Sequence, residues 1–469
     1  MRYAILVLFA VLVVEAVSAK PPIMTPPETP VLGEVDPFLI DAIYNSDDVE
    51  ASLASVQDNA KFNALIAKHD LRLFGGPMLG CVTPTSAMVW VRTPKPARVQ
   101  AVVEGSGRSP VIETQAESDY TAVLEIDGLK PWTEYTYDIL VDGESALGDL
   151  KPKFRTNPTR DQKVEFAVAF GGGARYVPEK ERMWDTIAKE RPHAFLFLGD
   201  NLYIDEPRHR GKQRAMYYRR QLRPEYQRLV SQSGTYAIWD DHDFGADDSA
   251  GGLHPFEPAW KLPVWRVFQE NWVNPSYGGG PEQPGCWFDF SIGDVDFFMT
   301  DGRYYRDFKQ GTMLGPTQKA WLLEKLKASK ATFKVIASGT LWTEHADKGG
   351  ADSWWGVKQE REEILSLIDR EKIPGVILIS ADRHRTDIYR LERPAGYDLY
   401  EFETSKLTNN HTHNTKKEAL FSYNKGNFYG LMRFDLSRDD PRMTFECITI
   451  DGEVVHRFPL QRSQLESAK

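Results

Sequence analysis

Cysteine is scarce in this sequence of 469 residues, which contains only Cys81, Cys286 and Cys447. Three thiols form at most one bridge, so a disulfide framework is excluded even in an oxidising compartment. Positive charge is also in deficit, with 57 basic against 67 acidic residues and a net charge of −10. This balance argues against a nucleic-acid backbone as the main partner, because proteins that bind one carry basic stripes. The sequence also lacks a G-x-S-x-G motif, which disfavours a serine hydrolase.

The N-terminus carries an apolar run from Ala4 to Val14, followed by the small residues Val17-Ser18-Ala19. The run is too short to span a bilayer, and its length and flanks predict a signal peptide over residues 1–19. From this signal peptide we expect a secreted or periplasmic protein with no transmembrane segment after cleavage. An uncleaved anchor is the alternative. Proline-rich and then helix-like spacing predicts a linker and helical lead-in over residues 20–75.

Residues 76–157 have a different sequence pattern, in which short strands with alternating apolar and polar residues are separated by turns. This regular spacing predicts a β-sandwich of about seven strands. Leu129-Lys130-Pro131, followed by Glu134-Tyr135-Thr136-Tyr137, resembles the turn and tyrosine-bearing strand of fibronectin type III modules. The segment has no cluster of titratable residues, so we expect a role in packing or substrate access.

Residues 158–465 alternate between apolar strands and helices, including helices predicted over 179–189 and 212–229. This alternation predicts an α/β domain with a largely buried sheet. Four of its strands stop at polar residues: Gly199-Asp200-Asn201, Asp240 to Asp243, Asp301 to Arg306, and Asp382 to His384. Ligands of open α/β sheets bind at such strand ends.

Crowded carboxylates raise one another's pKa unless a positive charge lies between them. Oxygen and imidazole donors from several strand ends suit a two-metal centre. For any single strand end, an Asx-rich turn is the ordinary alternative. Four such strand ends in one domain favour metal binding.

The motifs GDNLYID, YAIWDDHDFGADD, DGRYYR, FKVIASGTLW, VILISADRHR and LYEFETSKLTNN together closely resemble the alkaline phosphatase D (PhoD-like) family. This family belongs to the calcineurin-like metallophosphoesterases and is related to purple acid phosphatases. The resemblance covers residues 163–460. It implies a metallophosphoesterase-type sandwich of β-sheets flanked by helices, after the fibronectin-like β-sandwich. It also implies a phosphoesterase in which metal ions activate water against small phosphate mono- or diesters, and the predicted signal peptide makes this an exported enzyme.

The resemblance also implies roles for individual residues. Metal ligands would be Asp200, Tyr203, Asp241, Asp382 and His384. His242 would protonate the leaving group or contact the phosphoryl group, while Asn201 and Arg303 would bind substrate. An internal salt bridge to Asp301 is the alternative for Arg303. Asp240 and Asp243 are expected to orient His242 or cap the turn.

The sequence departs from the family pattern at two positions. Gly171, Gly172 and Gly173 stand where the family usually has a metal-binding cysteine, and Ala381 stands where it usually has glycine. The remaining donors are carboxylate, phenolate and imidazole. The predominance of carboxylates predicts calcium or another hard divalent cation, and Tyr203 also allows ferric iron. Two other functions stay open: hydrolysis of another ester class on the same scaffold, and non-catalytic binding.

Overall fold

The computed structural model describes residues 30–346 and 351–467. The predicted signal peptide and most of the predicted linker lie outside these residues. The first elements of the described residues are the helices α1 (Pro30–Leu39), α2 (Leu53–Val56) and α3 (Ala60–Lys68). Phe38 stacks on Phe62, which packs edge-on against Phe74. Phe74 in turn contacts Tyr218 of a later helix, so the lead-in packs on the α/β region.

Two antiparallel sheets follow. The first contains β1 (Gly75–Gly80), β2 (Ala87–Arg92) and β6 (Thr121–Ile126). The second contains β3 (Arg98–Val103), β4 (Gly107–Arg108), β5 (Ile112–Glu113), β7 (Glu134–Val141), β8 (Glu144–Ser145) and β9 (Lys153–Arg155). Alternate residues of β3 and β6 are buried, because successive side chains of a strand point to opposite faces. Tyr135 accepts a hydrogen bond from the Lys130 amide (2.9 Å), fixing the turn that resembles fibronectin modules.

The rest of the chain forms two mixed sheets. The first has the order β12-β11-β10-β20-β21-β22 and the second β13-β14-β15-β16-β18-β17-β19. The first sheet comprises β10 (Glu165–Gly171), β11 (Ala194–Leu198), β12 (Gly234–Ile238), β20 (Phe428–Asp435), β21 (Arg442–Thr449) and β22 (Val454–Gln461). The second comprises β13 (Phe288–Ile292), β14 (Val295–Met299), β15 (Phe333–Ala337), β16 (Val376–Ser380), β17 (Thr386–Leu391), β18 (Leu399–Thr404) and β19 (Phe421–Tyr423). Phe402 of the second sheet packs on Phe445 of the first with ring centroids 4.9 Å apart, so the sheets face each other.

The helices of this region are α4 (Met183–Lys189), α5 (Arg210–Gln221), α6 (Pro224–Val230), α7 (Asp241–Phe244), α8 (Lys261–Asn271), α9 (Gly315–Ala328) and α10 (Lys358–Arg370). The helix predicted over 212–229 is divided in two at Pro224. Proline disfavours helical conformation in the residue before it and suits the first turn of a new helix. Within the described ranges, no helix has the length and apolar character needed to cross a membrane.

Parallel pairing determines where the polar strand ends meet. Strands β10, β11 and β12 run parallel in the first sheet. Strands β14, β15, β16 and β18 run parallel in the second. Their carboxyl ends therefore lie at one edge of the two-sheet sandwich, and a bridge between Gly172 and Ser405 joins the sheets there.

Candidate metal centre

Tyr203 lies at the centre of a polar cluster at the edge of the sandwich where the carboxyl ends of the parallel strands meet. Its hydroxyl donates to Asp200 Oδ2 (2.8 Å) and lies 2.8 Å from His384 Nε2. The Asn409 side-chain amide donates to the same hydroxyl oxygen (2.6 Å). Three predicted ligands, Asp200, Tyr203 and His384, thus meet, and Asn409 is a partner that sequence analysis missed.

Gly199 allows the neighbouring strand ends to approach. It has a φ of 99°, and a Cβ built there would lie 2.5 Å from Asp240 Cβ. Only glycine therefore fits between the tips of β11 and β12. Asp200, the next residue, is also in the left-handed region with a φ of 50°.

Asp243 ties these two strand ends together. Its carboxylate accepts hydrogen bonds from the amides of Leu202 (2.8 Å) and Asn201 (3.1 Å), and it forms a capping box with Asp240 at the start of α7. Burial raises the pKa of Asp243 to about 7, although these hydrogen bonds oppose the shift. This geometry supports the expected capping role.

His242 is held on two sides. Its Nδ1 lies 2.6 Å from Asp205 Oδ1, and its ring packs on Tyr203 at a centroid distance of 4.2 Å. Burial lowers the pKa of His242, but the Asp205 hydrogen bond and the charge of Asp241 outweigh it and raise the pKa to about 9. The side chain is 18% exposed, which leaves the ring accessible at the edge of the sandwich.

Arg303 differs from the expected phosphate contact. Its side chain is fully buried, donates through Nε to Asp240, and donates through Nη1 to Asp352 Oδ1 (2.7 Å). Asp352 also pairs with Arg306. Asp241 Oδ1 lies 3.6 Å from Arg303 Nη2. The carboxylate partners are therefore Asp240, Asp241 and Asp352 rather than Asp301, which instead accepts from the Arg303 backbone amide (2.9 Å).

Asn201 is likewise engaged within the protein. It is buried, and its Nδ2 donates to the Ile238 carbonyl (2.8 Å) and to Asp243 (3.1 Å). These bonds use the amide donors that a substrate would need. Both predicted substrate-binding residues thus form bonds within the protein, while Asn201 Oδ1 is buried without a hydrogen-bond partner among the described residues.

Asp382 completes the acidic part of the cluster. Thr340 donates to its Oδ2 (3.3 Å), and Arg383 Nε lies 3.1 Å from the same oxygen. Burial raises the pKa of Asp382; Arg383 opposes this shift, and Asp240 and Asp241 add to it. Burial and the same two aspartates also raise the pKa of Asp200.

Several buried polar atoms of the cluster lack hydrogen-bond partners, which suits the binding of metal ions. Asp200 Oδ1, Asp240 Oδ2 and His384 Nδ1 are buried with no hydrogen-bond partner in the part of the chain that the structure describes. A cation would satisfy such atoms and relieve the repulsion between the carboxylates. Three groups have ligand atoms within 4.8 Å of one another: Asp200, Asp241 and His242; Asp241, Asp248 and Asp352; and His384, His411 and His413.

His411 and His413 were not found from the sequence. His411 directly follows LYEFETSKLTNN and His413 is the third residue after it, and the H-x-H pair was the available signal. Burial and the two neighbouring histidines lower the pKa of His384 to about 3, so its ring is neutral and keeps a lone pair for a metal ion. Cys81, Cys286 and Cys447 are free thiols and belong to none of these groups.

Known proteins share this architecture. The model of the PhoD-like phosphatase family matches residues 166–445, and the model of a Domain of unknown function (DUF7800) matches residues 70–159. Alkaline phosphatase D of Bacillus subtilis (strain 168) is 23% identical over 313 residues, which are 56% of this chain and 52% of that protein. The chain therefore spans about half the length of this curated relative.

Two solved structures resemble the chain over most of its length. The structure of PhoD has a TM-score of 0.70 and 16% identity, covering 85% of this chain and 92% of its own. A purple acid phosphatase from yellow lupin (Lupinus luteus) seeds has a TM-score of 0.60 and 13% identity, covering 83% and 75%. At these identities the similarity shows the fold, and it confirms the predicted α/β fold of the metallophosphoesterase type.

Proposed function

Because the chain belongs to the PhoD-like phosphatase family, we propose that it is a metal-dependent phosphoesterase acting on small phosphate mono- or diesters. The observation that carries the proposal is the convergence of Asp200, Asp241, His242 and His384 at one edge of the sheets. The sequence of residues 1–19 supports export of this enzyme.

The carboxylates of Asp200, Asp241 and Asp382, with Tyr203 and His384, would hold the metal ions. Such ions supply Lewis acidity that activates water and stabilises charge on phosphoryl oxygens. Calcium suits the carboxylate-rich part, while the Tyr203 phenol also suits ferric iron.

His242 would deliver the proton that the leaving group needs. Asp205 holds Nδ1 at 2.6 Å, and the Tyr203 ring fixes the imidazole plane. Nε2 therefore remains for the substrate, with Asp247 as its nearest carboxylate at 3.9 Å. Arg303 would act by positioning Asp240 and Asp352 rather than by touching phosphate.

The test compares hydrolysis of an aryl phosphate monoester, the matching diester and an aryl carboxyl ester by the purified chain. We expect turnover of a phosphate ester that a chelator abolishes and added Ca²⁺ restores. Asp200→Asn should lose this activity, whereas Asp439→Asn, at an exposed loop position, should retain it. Carboxyl-ester turnover alone would assign another hydrolase, and metal-dependent binding without turnover would assign a binding protein.

A further inference from the structure

Two histidines that follow β18 extend the candidate centre. His411 and His413 lie beside His384, with ring centroids 5.2 and 5.7 Å from it and 4.7 Å from each other. We propose that these three imidazoles together bind a transition-metal ion. The inference rests on the proposed function in one respect, since His384 also belongs to the proposed catalytic centre.

The backbone brings this segment to the end of β10. The amides of Lys406 and Leu407 donate to the Gly172 carbonyl, both at 3.1 Å. The amides of Thr408 (3.3 Å) and Asn409 (3.1 Å) donate to the Gly173 carbonyl. Four consecutive hydrogen bonds therefore fix the start of the histidine segment against the glycine-rich strand end.

Further hydrogen bonds fix the backbone at the three histidines. Asn409 Oδ1 accepts from the His411 amide (3.0 Å), while Asn409 Nδ2 donates to Tyr203. The Thr412 hydroxyl donates to the His384 carbonyl (3.3 Å), and Asn424 donates to the His413 carbonyl (2.9 Å). A backbone held this way keeps the three histidines close together, which lowers the reorganisation needed to bind an ion.

The glycines leave room for this arrangement. Gly173 has a φ of 65°, and a Cβ there would lie 3.1 Å from His384 Cδ2 and 3.3 Å from the Lys406 amide nitrogen. A Cβ on Gly172 would lie 2.7 Å from Ala381 Cβ. The end of β10 therefore contributes space rather than a ligand, and nitrogen ligands reach this side of the centre from the other sheet.

Ligand chemistry sets the class of metal. Imidazole nitrogen suits zinc, iron, nickel and copper, whereas calcium takes oxygen ligands. His384 supplies an Nδ1 that is buried and has no hydrogen-bond partner among the described residues. The centre is thus divided into an imidazole end selective for a transition metal and a carboxylate end around Asp200 and Asp241 that suits calcium.

Zinc and cobalt binding to the full chain test the inference. After chelator treatment, the wild type, His411→Ala/His413→Ala and the control His345→Ala are titrated with Zn²⁺ by calorimetry and with Co²⁺ by visible absorption. His345 is a partly exposed histidine outside the three ligand groups. We expect the double variant to bind Zn²⁺ at least about 100-fold more weakly, since even hydrogen-bonded partners of ligands contribute about 10–100-fold. Its Co²⁺ band should also be lost, with Ca²⁺ affinity unchanged.

Unchanged Zn²⁺ stoichiometry and affinity in the double variant would overturn the inference. The single variants His411→Ala and His413→Ala provide the same comparison if the double variant does not fold by circular dichroism. Phosphoesterase assays separate the two proposals. A wild type that binds zinc through these histidines but cleaves no phosphate ester would refute the proposed function and support the inference. Histidine variants that cleave phosphate esters and bind zinc as tightly as the wild type would support the proposed function and refute the inference.

Discussion

Replacing His242 by alanine tests the proposed proton transfer most directly. Asp205 and Tyr203 hold the His242 ring. Replacement by alanine removes the proton donor, and we expect these two neighbours to stay in place. A positioned general acid contributes about 10²–10⁴-fold to rate. This corresponds to about 3–5 kcal/mol of transition-state stabilisation. The full loss is expected only for poor leaving groups, because good ones need little protonation.

Asp205→Asn gives a smaller effect whose size follows from the structure. The hydrogen bond to His242 is short, but Asp205 is 43% exposed, so solvent weakens its contribution. A charged hydrogen bond discounted in this way contributes about 1 kcal/mol, or about fivefold in rate. Because Asp205 acts through His242, the double variant should be no slower than His242→Ala alone.

The assay is kcat/KM over a series of aryl and alkyl phosphate esters at fixed pH and saturating metal. Asp247 is another carboxylate near the His242 ring, and its side chain is 78% exposed. Asp247→Asn should therefore change kcat/KM less than about twofold. An equal loss across the leaving-group series for His242→Ala would refute the general-acid role. A full Asp205 effect in the absence of His242 would refute the coupling between them.

Three further predictions concern ligands, packing and acid stability. Asp382→Asn should leave the chain folded by circular dichroism but lower its metal content by elemental analysis, because Asp382 lies among repelling carboxylates. Unchanged metal content would remove Asp382 from the ligand set. Gly172→Cys should destabilise the protein by about 1–3 kcal/mol in urea denaturation, and adding Ala381→Gly should recover part of this loss. Burial lowers the pKa of His193 to about 4, so its ring stays neutral when folded and the free energy of unfolding falls as pH drops from about 6.5 to 4. The loss is at most about 3 kcal/mol, and His193→Gln should reduce this pH dependence unless another group causes it.

The strand ends were predictable because their signals are local. An apolar run that stops at Asp200 or Asp382 is visible in a few residues, and parallel pairing brings such ends to one edge. The packing of two sheets was implied by the family resemblance. Capping was one of two expected roles for Asp243, and its bonds reach only to the neighbouring strand end.

Contacts between distant residues were not predictable in this way. Arg303 follows an acidic strand end and therefore resembled a phosphate contact, but its partner Asp352 lies 49 residues later and buries its charge. Asn409 reaches Tyr203 across 206 residues, and His411 depends on that contact for its position. No spacing within either segment indicates these pairings.

The two departures from the family pattern are connected by packing. Gly172, the middle of the three glycines of the first departure, lies 209 positions before Ala381, and the two departures looked independent. In the structure a Cβ on Gly172 would lie 2.7 Å from Ala381 Cβ, closer than two carbon atoms can pack, and 3.0 Å from the Gly199 carbonyl oxygen. The site therefore has room for a side chain at one of these positions but not at both. The methyl group of Ala381 takes that room here, so a thiol at Gly172 would require a smaller residue at position 381, and His411 and His413 are the donors that we propose for this side of the centre.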